Sequence, residues 1–125
     1  MGHKNEVLQT AWEGREGPIV FSTVDERGVP NAIYCNWARL LEDGRFLVAD
    51  NYFHKTRENI LKGSPGSVLF FTTERKSYQA KGKIEYQTAG PLYEEMRQWV
   101  DPQRPRVAAA VLQVDELYRG AEKLL

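Results

Sequence analysis

The sequence predicts a mainly β fold with short helices, a small and mostly antiparallel barrel of about six strands. Three observations carry that expectation. Runs of β-branched and aromatic residues recur along the chain, separated by short turn sequences such as Asp25-Glu26-Arg27-Gly28 and Asp43-Gly44. The longest extended candidate, Ser77 to Thr88, alternates in a way only a strand can use. Finally, 125 residues at 42% hydrophobic and 27% charged suit one globular domain around one core.

The elements follow in order. From Asn5 to Glu13, Val7, Leu8, Ala11 and Trp12 fall at helical spacing, and Gly14, Gly17 and Pro18 are read as ending that helix. Ile19–Val24 is a strand, and a second extended run from Pro30 to about Arg39 makes it a hairpin. Phe46–Ala49 adds a third strand beyond Asp43-Gly44. A short helix from about Arg57 to Lys62 interrupts the sheet, with Gly63 at its end and Pro65 beyond. Strands resume at Ser67–Thr73 and Ser77–Thr88. In the latter, Tyr78, Ala80, Gly82, Ile84 and Tyr86 share one face, and Gly82 marks a bulge or a close backbone approach. Gly90-Pro91 opens a helix carrying Leu92, Tyr93, Met96, Trp99 and Val100 at helical spacing, and Asp101-Pro102 closes it. Val107–Val114 is the last apolar strand, with Leu117-Tyr118 a possible edge.

Composition excludes several function classes. Lys+Arg and Asp+Glu both number 17, so no overall basic field exists to hold a nucleic-acid backbone. No apolar run approaches the roughly 20 residues a membrane helix needs. The Met1–Glu6 start lacks the apolar segment of a secretory leader, and Glu6 stands where a myristoylation site needs Ser or Thr. One cysteine, Cys35, excludes an internal disulfide framework and a thiolate zinc cage. A cytoplasmic protein is the expectation.

The most informative stretch is Ala49–Ile60. It leads from a strand into a helix and gathers His54, Lys55 and Arg57 at the helix N-terminus. Cations there oppose the helix dipole, and the first N–H groups need acceptors. A bound phosphate would resolve both, with Thr56 as N-cap and Lys55 as counter-charge. A solvated turn with Glu58 as the usual acidic residue accounts for the same letters. A lone histidine beside a lysine is no metal site. On the Ser77–Thr88 strand, Lys81 and Lys83 lie beside Gln79, where one long side chain can reach a phosphate. Lys81 is the candidate, and Lys83 reads as facing solvent. Cys35 and Asn36 interrupt an apolar run and either line a site or face water. No catalytic acid, base or nucleophile stands out.

In these blocks the sequence resembles the FMN-binding split-barrel family, which includes the pyridoxamine 5′-phosphate oxidases and small FMN-binding electron carriers. The resemblance rests on Leu47–Ile60, with its Lys55-Thr56-x-x-Asn59 signature, on Ser77–Glu85 and on Thr88–Glu95, in the family's order, over about residues 17 to 118. It implies a six-stranded antiparallel split β-barrel that forms a homodimer, with FMN held non-covalently in clefts at the subunit interface. The strand of Tyr34, Cys35 and Asn36 would lie along the flavin ring. Asp50 and Asn51 would touch the ring edge and ribityl chain, and His54, Lys55 and Thr56 would hold the phosphate. Arg104, Arg106 or Trp99 would come from the partner subunit. The Arg-x-His element of the oxidases is absent near the C-terminus, which counts against pyridoxamine phosphate oxidation.

The function expected is therefore that of an FMN-dependent oxidoreductase or electron carrier, the ring doing the redox chemistry. The alternatives are a module that stores or senses flavin without turnover, or a related barrel for the deazaflavin F420 or for haem, with His54 the plausible axial ligand. A homodimer is the expected partner state, with no nucleic acid and no membrane.

Overall fold

The computed structural model describes residues 2–125, with side chains from Asn5 onward, so the reading of the Met1–Glu6 start lies largely outside the described residues. Helix α1 (Gly2–Glu13) turns Leu8, Ala11 and Trp12 inward. Trp12 packs edge-on against Phe46 and Phe70, with ring centroids 5.2 and 5.1 Å away. Gly14 ends the helix, but Gly17 and Pro18 do not belong to its terminus. They lie within β1 (Arg15–Val24), where the pairing register shifts between Glu16 and Val20. Gly17 takes φ of 74° and Pro18 has no N–H to give, so both fit a bulge.

Strand β2 (Pro30–Cys35) returns antiparallel to β1, from Val24↔Pro30 to Ile19↔Cys35. The connecting turn is held by Asp25, whose Oδ1 accepts from the N–H groups of Arg27 and Val29 at 2.9 Å. The extended run expected through Arg39 breaks at Asn36-Trp37. Its second part, β3 (Ala38–Leu40), joins a different sheet, beside β4 (Phe46–Asp50). After α2 (Lys55–Leu61) come β5 (Gly66–Thr72) and β6 (Ser77–Gly82). The long alternating run also divides, at Lys83, and continues as β7 (Ile84–Gln87). Then follow α3 (Pro91–Trp99), β8 (Ala108–Leu112), β9 (Glu116–Arg119) and β10 (Glu122–Lys123).

Among the described residues there are thus ten strands rather than about six, in sheets ordered β10-β9-β6-β5-β1-β2 and β3-β4-β8-β7. Both expected long strands supply one segment to each sheet, and that transfer wraps the two sheets around one core. At the second crossing, a Cβ on Gly82 would lie 1.6 Å from the carbonyl oxygen of Gln113, so only glycine lets the two backbones pass.

Phe21, Val68, Phe70, Ala80 and Leu117 from the larger sheet meet Phe46, Val48, Ala110 and Leu112 from the smaller one inside the barrel. A second cluster lies outside it. Met96 and Val100 of the α3 region cover Leu47, Ala49, Ala109 and Val111. Strands β4 and β8 are therefore buried on both faces, which is why Phe46–Asp50 and Ala108–Leu112 show no polar alternation. No described helix is long and apolar enough to cross a membrane.

Candidate functional site

The corner between β4 and α2 positions the site, and a buried carboxylate holds the corner. Asp50 is 0% exposed. Its Oδ1 accepts from the Phe53 N–H and Arg57 Nη2, both at 3.0 Å. Its Oδ2 accepts from Arg57 Nε at 2.8 Å and from the Tyr86 hydroxyl at 2.5 Å. The side-chain bond to Asp50 raises the Arg57 pKa. Burial first, and then the bond to Asp50, push the Tyr86 hydroxyl up to about 12. The Asp50 side chain, expected beside a ligand, is turned into the protein and fully engaged there.

Helix α2 is fixed by two amide–hydroxyl bonds. Asn31 Nδ2 donates to Thr56 Oγ1 and Asn59 Nδ2 to Thr23 Oγ1, each at 3.0 Å. This explains the Lys-Thr-x-x-Asn block: its Thr and Asn rivet the helix to β2 and β1. Thr56 is not the N-cap and is 1% exposed, which corrects its expected place against a phosphate. The helix starts at Lys55, with His54 in the cap position making no side-chain cap bond. His54 and Lys55 are exposed.

Two cavities flank β2, the outermost strand of its sheet. One, of about 340 Å³, is lined by Ile33 to Trp37, Ala49, Asn51, Tyr52, Phe53 and Arg104. The other, of about 440 Å³, lies between the Asp25–Asn31 turn and α2; Lys55 and Glu58 line it beside two ion pairs, Arg27 with Asp25 and Lys62 with Glu26. The structure therefore brings Tyr34, Cys35, Asn36 and Asn51 together in one cavity and puts Lys55 in the next. Lys81 belongs to neither. It lines a shallow groove across the larger sheet with Ser22, Ser67, Gln79 and Lys83, its ammonium 5.1 Å from the Tyr118 ring. The alternation that singled out Lys81 gives its face but not its distance from α2.

Electrostatics in the first cavity are simple. Cys35 is buried, and desolvation first, then the Asp50 charge, push its thiol up to about 12, so it stays protonated at neutral pH. Among the described residues Arg104 is the one charged side chain in the lining. Trp37, Tyr52 and Phe53 were not singled out from the sequence, although two aromatic residues directly after Asn51 were a readable signal. Arg106, at φ of 49°, donates its N–H to Asn51 Oδ1 at 2.9 Å. The Trp99 Nε1 and Arg106 Nε atoms are buried without a hydrogen-bond partner.

Comparison with known proteins agrees with this architecture. The chain is 32% identical over 109 residues to an uncharacterized protein of Methanocaldococcus jannaschii, covering 82% of this chain and 73% of that one. Among solved structures it resembles HupZ of Group A Streptococcus, with a TM-score of 0.74 at 28% identity over 82% of this chain and 84% of the other. An FMN-binding protein of Syntrophomonas wolfei shares the fold, with a TM-score of 0.72 at 15% identity over 91% and 86% of the two chains. The sequence pattern of the pyridoxamine 5′-phosphate oxidase family matches residues 6–119, nearly the whole chain and every element that builds the two cavities. The chain belongs to the pyridoxamine 5′-phosphate oxidase family.

Proposed function

We propose that this protein binds FMN non-covalently and serves as an oxidoreductase or electron carrier, in a cleft completed by a second copy of the chain. The observation that carries the reading is the bare edge of β2. Among the described residues no strand pairs with it on the side away from β1, so half its backbone N–H and C=O groups are available to a ligand. The strand runs from Pro30-Asn31, in the Lys55 cavity, to Ile33–Cys35, in the aromatic cavity. Asn31 to Asn36 spans roughly 16 Å at the usual strand rise. That span suits a flat ring with polar edges, a five-carbon chain and a terminal phosphate in line.

The residues fit the coenzyme by kind. The first cavity offers aromatic and apolar walls with backbone polar groups, which suits an isoalloxazine ring. Lys55, at the exposed start of α2, supplies the cation for a phosphate dianion. Bound there, the ring would supply the electron transfer. The protein's own part is to orient the ring along β2, hold the phosphate and fix the corner through Asp50 and Arg57. Cys35, protonated and buried, supports the ring without acting as a nucleophile.

A second copy is favoured by what the monomer leaves uncovered. Tyr34 is 78% and Tyr52 70% exposed at the mouth of the aromatic cavity. Large aromatic surface beside an open cleft is ordinary for an interface and unusual for a free surface.

The purified protein should carry, or take up, a yellow chromophore that acid releases and that chromatographs as FMN. Size-exclusion chromatography with light scattering should give twice the chain mass. Bleaching by a nicotinamide donor separates an oxidoreductase from a store or sensor. A Soret band, or uptake of F420 in preference to FMN, would replace this reading with one of its alternatives.

A further inference from the structure

The loop between α3 and β8 is tied down at nearly every residue, yet it presents one charged side chain that has no internal partner. Asp101 Oδ1 accepts from the Gln103 N–H at 2.9 Å, and its carbonyl accepts from the Arg104 N–H at 2.9 Å. Arg106 sits at φ of 49°, a strained conformation for a residue with a side chain, and its N–H is bound to Asn51. Its guanidinium Nη1 donates to the Arg97 carbonyl at 2.9 Å, while Val107 N–H reaches the Asp50 carbonyl at 2.8 Å. Arg97 and Asp50 thus anchor the loop to α3 and to the β4–α2 corner.

Held this way, Arg104 stands in the wall of the aromatic cavity of its own chain, facing the same space as Tyr34, Trp37 and Asn51. Its guanidinium makes no ion pair among the described residues, and no carboxylate lines the cavity. An uncompensated cation beside a planar ligand favours whichever state of that ligand carries more negative charge.

We propose that Arg104 is the residue that favours the reduced over the oxidised form of the flavin in this cavity. This rests on the flavin reading above. The balance is simple: two electrons from an external two-electron donor and one proton from water convert the neutral ring to a ring of charge minus one. Arg104 exchanges no electron or proton; it pairs with the charge gained.

The test compares the affinity of the whole protein for oxidised FMN with its affinity for dithionite-reduced FMN under anaerobic conditions. Arg104→Gln should weaken binding of the reduced form at least fivefold more than binding of the oxidised form. A tenfold change in that ratio is a fall of about 30 mV in the two-electron potential. Arg104→Lys should restore most of the ratio, and Lys123→Gln, on the exposed last strand, should leave it unchanged. Because the Arg104 side chain is exposed and carries none of the loop's hydrogen bonds among the described residues, its variants should match the parent in thermal unfolding. Equal weakening of both forms would overturn the proposal and make Arg104 a plain contact. No change in either affinity would also overturn it while leaving the flavin reading intact. Failure of the parent protein to bind FMN at all would overturn the flavin reading and this inference together.

Discussion

Asp50 and Arg57, seven residues apart on either side of the strand-to-helix corner, meet in a two-bonded ion pair, Oδ2 to Nε at 2.8 Å and Oδ1 to Nη2 at 3.0 Å. The pair closes a short loop that carries Asn51, Tyr52 and Phe53 toward one cavity and Lys55 toward the other. An arginine near a helix start looks unfavourable on its own. With Asp50 opposite, it is the clasp of the corner.

Replacing Arg57 with Met should therefore destabilise the fold. The buried Asp50 carboxylate would keep only Tyr86 and the Phe53 N–H. A third of the Arg57 side chain is open to water (33%), so the loss should fall at the lower end of the roughly 3–5 kcal/mol seen when a buried pair is broken. Urea denaturation measures it. A loss below about 1 kcal/mol, the size of an ordinary surface pair, would remove the clasp from this account.

Lys55→Ala should weaken FMN binding by about 1.5–3 kcal/mol, the range for a hydrogen bond to a charged group. Lys81→Ala and Lys83→Ala, both on the far groove, should change it little. Isothermal titration of the three variants decides the matter. Equal losses at Lys55 and Lys81 would put the phosphate on the other side of the sheet.

Gly82→Ala should be among the costliest single-methyl changes in the chain. The new Cβ would meet the Gln113 carbonyl at 1.6 Å, and backbone cannot swing aside as a side chain can. Overpacking typically costs about 1–3 kcal/mol, and this position should reach or pass the top of that range. Thermal unfolding against Gly120→Ala, where nothing lies within 4 Å but φ is 57°, separates the clash from backbone strain.

Alkaline pH should unfold the protein through two groups whose folded pKa values are raised. Cys35 moves from 9.0 to about 12 and Tyr86 from 10.0 to about 12. Below about pH 9 both groups are protonated, folded or unfolded, and their contributions are complete. Between about 9 and 12 the unfolded chain gives up these protons first, so stability falls as pH rises and is lost through the folded values. Cys35→Ala should flatten that slope in denaturation curves taken across the window. An unchanged slope would mean that the thiol is not buried as described.

What the letters revealed and what they hid have physical causes. The β1–β2 hairpin, α2 and α3 were legible because turn chemistry, Gly63 and Pro91 act locally. The break at Lys83 was not, because the inward face stays on even positions from β6 into β7; at Asn36-Trp37 the inward face does shift, from Ile33 and Cys35 to Ala38 and Leu40, but the apolar run through Trp37 hides the step. Gly82 hinted at the second crossing, and the partner backbone it admits, at Gln113, is distant in sequence. Lys55 fell at one cavity, and Asn51 and the Tyr34–Asn36 segment at the other. Asp50 and Thr56 did not, since a polar residue near a site can equally be part of its frame. Arg104, one of three residues the family resemblance offered as a second subunit's contribution, lines the aromatic cavity in the single chain described, on a loop held through Arg106 by Asn51 and Arg97.

The unpaired rim of β2 has a cost outside catalysis. A row of free amides flanked by Ile33 and Tyr34 is a template onto which any stray extended segment can zip, and protein chemists meet such rims as precipitate. A ligand or second copy lying along that rim would also keep the protein in solution. Material stripped of its occupant should cloud on standing or warming, and restoring the occupant before concentration should keep it clear.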